Sequence, residues 1–134
     1  MRELKFRGKS TYLENEYAGT KWIFGDLVIC ALARMVDEKR YYIHDGVSSY
    51  PVSNSSIGEY TGIKDSNGVK IYEGDIVSDT SGLFIRAQVR WHNENLAWGL
   101  LTLGNSNYSL AHAGAFDTLE VIGNIHDNPE LLEN

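Results

Sequence analysis

The chain has one cysteine, two prolines and, past residue 90, no lysine or arginine. Each shortage excludes something. A single cysteine, Cys30, cannot close an internal disulfide, and one Cys with four scattered histidines (His44, His92, His112 and His126) lacks the paired ligand spacing of a zinc site. Few prolines beside eight Tyr and three Trp argue for ordered strands rather than disorder. No apolar run approaches the ~20 residues of a membrane helix. The N-terminal "MRELKFRGKS" has no apolar core of the signal-peptide kind. The reading is therefore a cytoplasmic protein with no membrane contact. The missing cations leave residues 91–134 with six acids (Glu94, Asp117, Glu120, Asp127, Glu130 and Glu133), which is the whole net charge of −6. A nucleic-acid-binding domain ordinarily carries a large patch of the opposite sign. The one basic cluster here is Arg2, Lys5, Arg7 and Lys9, with Glu3 inside it.

What is present fits a small soluble domain. At 134 residues, 43% hydrophobic and 22% charged, the chain buries roughly two thirds of its unfolded surface without needing staples. "LKFRG" alternates and reads as a strand. "TYLENEYAGT" is a polar connection or hairpin. "KWIFGDLVICALARMV" starts as a strand broken by a corner at Gly25-Asp26, with a helix over 27–36 as the alternative on propensity. Cys30, inside the apolar "DLVICALA", reads as a buried thiol acting as a small hydrophobe. "RYYIHDG" is a strand entering an Asp-Gly turn, and "SSYPVSNSSIGEY" is the expected connector between two halves, residues 1–57 and 58–134.

The densest signal is "EYTGIKDSNGVKIYEGDIVSD", residues 59–79. Two strands flank "KDSNG", in which Asn67-Gly68 supply the positive φ of a hairpin loop. Gly74-Asp75 then turns a tight corner into "IVSD". "FIRAQVRW" has period-two alternation, with Ile85, Ala87, Val89 and Trp91 on an apolar face and Arg86, Gln88 and Arg90 opposite. "AWGLLTL" and "TLEVIGNI" are further strands, and "GNSNYSLAHAGAF" (104–116) is a loop. "NPELLEN" predicts a short terminal helix with Asn128 as cap, Pro129 at the first position and Glu130 at the positive end of the dipole. The "KWIFGDLVI" and "KIYEGDIVS" segments echo each other. Gly25-Asp26 and Gly74-Asp75 thus suggest two related small SH3-like barrel modules in a mainly β protein.

The blocks "YTGIKDSNGVKIYEGDIV" (60–77) and "EVIGNIHDNPELL" (120–132), with "MRELKFRG" and "KWIFGDLV…YYI" before them, resemble the YopX family of small phage- and prophage-encoded proteins. The resemblance spans nearly the whole chain. It implies a mostly β protein with barrel-like modules in the cytoplasm of an infected or lysogenic bacterium. It implies no activity and hands over no catalytic residue.

Three functional readings remain, in falling order. In the first, the chain is a non-enzymatic accessory protein that binds a protein partner or its own copies, through a β-face or the acidic surface of Glu120, Asp127, Glu130 and Glu133. In the second it binds nucleic acid, with Arg86, Arg90 and the basic N-terminus on phosphates and an exposed tryptophan among Trp22, Trp91 and Trp98 stacking bases. In the third it is an enzyme using Asp26 and Asp75 as a carboxylate pair, a pairing able to do acid–base work or hold Mg²⁺. The bland alternative for each aspartate is that it caps its own corner. A metal site of His112 or His126 with Asp117 or Asp127 is weaker still. No cofactor is expected.

Overall fold

A computed structural model describes residues 4–10, 21–31, 39–82, 84–93, 96–103, 107–109 and 118–133. Among them the chain is β: β1 (Phe6–Lys9), β2 (Trp22–Ala31), β3 (Lys39–His44), β4 (Ser49–Pro51), β5 (Gly58–Lys64), β6 (Lys70–Tyr72), β7 (Asp75–Asp79), β8 (Arg86–His92), β9 (Ala97–Thr102), β10 (Asn107–Ser109) and β11 (Leu119–Asn124). The only helical elements are two short 3-10 turns, Asn54–Ser56 and Pro129–Leu132. The chain divides into two compact units, residues 1–60 and 61–134, with the boundary inside β5.

In the first unit the antiparallel order is β4-β3-β2-β1-β5. β2 is long because it serves two partners in turn. Trp22–Gly25 pair with β1, and Asp26–Ala31 pair with β3. Gly25 sits at this handover. A side chain there would drive its Cβ into the His44 carbonyl oxygen, so only glycine lets the two strands approach. The expected Gly25-Asp26 corner is therefore absent, and the pair lies within a continuous strand. β2 runs as strand to Ala31, which settles residues 27–31 against the helix alternative; 32–36 lie outside the described residues, as does "TYLENEYAGT". The β3–β4 connection follows the Asp-Gly signal. Asp45 Oδ1 accepts the N–H groups of Val47 and Ser48, each at 2.9 Å, and holds its carboxyl below the usual carboxylate value, with the Ser48 bond the larger cause.

In the second unit β5 pairs with β6, and a five-stranded sheet runs β10-β9-β8-β7-β11. One side of that sheet buries Ile71, Val77, Phe84, Ala87, Val89, Leu100 and Leu119, with Ile63, Trp98 and Val121 packed against them. The period-two pattern of β8 delivers this: Ala87 and Val89 are fully buried. The alternation fails at its ends, where Ile85 precedes the strand and is 74% exposed and Trp91 reaches the rim at 37%. Short β10 falls inside the stretch expected to be loop and pairs with Leu101–Gly99.

The β5–β6 hairpin forms as its residues predict, with a modification. Gly68, at φ +80°, supplies the positive φ; Asn67 does not need it. Asp65 organises the loop. Its Oδ1 accepts Asn67 N–H and Val69 N–H, both at 2.8 Å, and its Oδ2 accepts Val121 N–H of β11 at 3.0 Å. Burial alone raises this carboxyl, but the three backbone donors outweigh it and leave it below the usual value.

Neither strand order closes on itself, so the SH3-like barrels are not found: the fold is mainly β with two antiparallel sheets. The echo of Gly-Asp-aliphatic-Val at the two sites marks a strand handover in one place and a true corner in the other, not two copies of one module.

Candidate functional site

At the second Gly-Asp pair, Gly74 takes φ +92° and donates to Val89 O at 2.9 Å. Asp75, buried, accepts Tyr72 N–H on Oδ2 at 2.7 Å. This carboxylate caps its own corner, as its bland reading expects. Asp26 is exposed on β2 opposite His44. No group of three or more His, Cys, Asp or Glu among the described residues is placed to hold a metal ion. His112 and Asp117 fall outside those residues.

The cation candidates divide. Arg86 donates from Nη1 to Leu131 O at 3.1 Å, which ties β8 to the terminal 3-10 turn. That turn begins after Asn128 with Pro129 first, but the Asn128 side chain accepts Asn124 N–H (3.3 Å) instead of capping the turn. Arg90 lies on the same side of β8 as Arg86 and His92. Its Nε is buried and has no hydrogen-bond partner among the described residues. His92 is 7% exposed, and its Nε2 is in the same state. What gives the His92 ring its room is Gly99. It lies opposite Arg90 in the ladder, and the His92 ring fills the space where a Gly99 side chain would begin. The ring therefore leans along the strand toward Arg90. Leaving a buried polar group unsatisfied costs about 1–3 kcal/mol, so this pair, with Trp98 Nε1 in the same state, is a strained polar spot of the second unit. His92 was not singled out in the sequence; its signal was Arg-x-His facing a strand glycine.

On the opposite side of the same strands Trp91 and Trp98 face each other across β8 and β9, edge to face with centroids 5.2 Å apart. Trp98 is half-buried against the core and Trp91 is exposed. Such a pair adds about 0.5–1.5 kcal/mol beyond area burial. In the first unit Trp22 is spoken for: the Arg7 guanidinium carbon lies 4.6 Å and Lys9 Nζ 5.7 Å from its ring centroid. Arg7 itself is buried. Glu120, Asp127 and Glu130 are exposed, with Asp127 Oδ2 accepting from Asn124 Nδ2 at 3.2 Å.

The largest departure from expectation is at Cys30. It is exposed, not buried. Its neighbours Val28 and Ile29, 39% and 52% exposed, are adjacent residues on opposite faces of β2, paired with Tyr42 and Tyr41. β4 reaches only as far as Tyr42. The outer end of the β2–β3 ribbon thus presents apolar side chains on both faces. A uniformly apolar run ordinarily reads as core, which is why the sequence pointed the other way.

A small protein of two antiparallel sheets, with a Gly-Asp-cornered hairpin and a short terminal turn, is the class that emerges. The YopX protein family model matches residues 5–133, nearly the full length, and the chain belongs to that family. A solved structure described as crystal structure of protein EF1440 from Enterococcus faecalis shares the fold, with a TM-score of 0.51, 24% identity, and 99% of this chain and 100% of that one covered. No curated protein matches the chain. No helix among the described residues is long and apolar enough to cross a membrane.

Proposed function

We propose that this chain is a phage or prophage accessory protein that works by binding rather than catalysis, in the bacterial cytoplasm, and that its β2–β3 arm docks against a second copy of itself. The observation that carries the reading is the apolar arm. Two-stranded ribbons are marginal in water and gain stability when their faces are covered. From Leu27 to Ala31 the β2 half of the arm has no charge and no proline, the devices that guard exposed strands; the β3 half carries Arg40 and Lys39 opposite Cys30 and Ala31. A two-fold contact places the same residues against themselves. The exposed carboxylates of Glu120 and Glu130 could meet a basic partner. The nucleic-acid reading loses ground because Arg86 is engaged with Leu131 and Arg7 is buried against Trp22. The catalytic reading loses ground because Asp75 is committed to Tyr72 N–H.

Sedimentation equilibrium of the wild type and of Ile29→Asp tests the arm. A concentration-dependent dimer that the substitution converts to monomer, with circular dichroism unchanged, supports it. A wild-type monomer at all concentrations removes self-association; a tagged pull-down with and without nuclease then decides between protein and nucleic acid.

A further inference from the structure

Arg90 and His92 form an unannounced feature of the second unit, and it stands independently of self-association. Both project from one side of β8, two residues and thus ~7 Å apart along the strand. The His92 ring, held over Gly99, leans toward Arg90. His92 is more than nine-tenths buried, and the buried atoms Arg90 Nε and His92 Nε2 have no partner among the described residues. Arg86, further down the same side, is satisfied by Leu131 and does not compete.

Both unpartnered atoms can act as donors. A guanidinium Nε–H can only donate, and Arg is charged at any physiological pH. His92 Nε2 donates in one neutral tautomer and in the imidazolium. What completes such a pair is an acceptor carrying negative charge, with two oxygens that one donor each can reach. Charge-assisted bonds of this type are about twice as strong as neutral ones. Gly99 is the enabling residue, because any side chain there would displace the His92 ring.

We infer that Arg90 and His92, over Gly99, form a binding site for a small oxyanion, a carboxylate or phosphate group, on the β8–β9 sheet. Whether the group arrives on a free anion or on a larger acidic ligand, the recognised chemistry is the same. NMR titration of the full chain with inorganic phosphate, and separately with acetate, follows the Arg90 Nε–H and His92 ring resonances. The expected result is that both side chains shift together along one saturable curve. Arg90→Gln should weaken that curve by about tenfold or more, the loss of one charge-assisted bond, with the amide fingerprint of the sheet retained. Arg90→Lys keeps the charge but loses the planar fork, and should also fall short of the wild type. Tighter binding of phosphate than acetate assigns a phosphoryl ligand, and comparable binding assigns a carboxylate. If neither anion moves the two side chains, or if they shift no more than exposed Lys64, the site is completed by water and the proposal is overturned. Should Arg90→Gln fail to fold, the wild-type titration decides alone.

Discussion

The two units solve the same problem differently. Residues 61–134 gather a contiguous buried set, from Ile71 to Leu119, on one side of a five-stranded sheet. Among the described residues of 1–60 the buried apolar side chains are Ile43, Val52 and Tyr60, and Arg7, Ser10 and Ser56 are buried as well. There the joints are hydrogen-bonded and steric. Ser56 Oγ accepts Lys9 N–H at 2.7 Å and donates to Ser53 O at 2.7 Å, and Gly25 is fitted against His44. The first unit also exposes Phe24, Val28, Ile29 and Val47. The second unit builds a contiguous apolar core, although it too exposes Val69, Ile85, Leu96 and Ile122, and it carries the buried Arg90–His92 pair.

That contrast can be broken or sharpened in four ways. The largest effect belongs to the second core. Leu100→Ala should cost about 2–5 kcal/mol in urea unfolding, because Leu100 is fully buried; a loss under about 1 kcal/mol would mean the cluster does not dominate stability. Next, Asp65→Asn should cost about 2–3 kcal/mol, since a charged acceptor of three backbone donors becomes a neutral one. The sign with pH is fixed by its lowered folded-state value. The stabilisation is complete above the unfolded value near 3.8 and disappears as pH falls through the lower folded one. Acid unfolding of Asp65→Asn should accordingly be flatter than the wild type over that window, and parallel curves would remove Asp65 from the account. Third, Gly25→Ala should destabilise by about 1–3 kcal/mol through overpacking at His44, read as selective loss of hydrogen-exchange protection in β2 and β3. Uniform loss across both units would contradict the separation. The smallest effect is Ile29→Ser, which should change the stability of the isolated monomer by no more than about 0.5 kcal/mol, as befits an exposed side chain.

The sequence was most legible where the chemistry is local. Asp-Ser-Asn-Gly sets its own loop, Asp45-Gly46 another, and Gly74-Asp75 a third, because each carboxylate accepts backbone N–H groups within four positions of it. β8 was legible from its alternation. The same dipeptide misled at Gly25-Asp26, where the glycine answers to His44, nineteen residues away in the chain, a contact that nothing in the flanking residues announces. The arm was illegible for a related reason. Whether an apolar strand is core or surface depends on how far its neighbours extend, and β4 stops short. Arg86 and Arg90 looked equivalent at a spacing of four. They are separated by which of them meets the terminal turn, and by a histidine that only the opposing glycine makes conspicuous.

The Asp65 carboxylate has a consequence for synthesis as well as for stability. One of its oxygens is satisfied within four residues, and the other waits for Val121, 56 residues later. At ribosomal rates of 5–20 residues per second that interval is about 3–11 s. For those seconds the hairpin loop exists half-latched, with residues 1–60 and their apolar arm already made. If copies of this chain meet through the arm, neighbouring nascent chains on one message have time to do so before the second unit can lock.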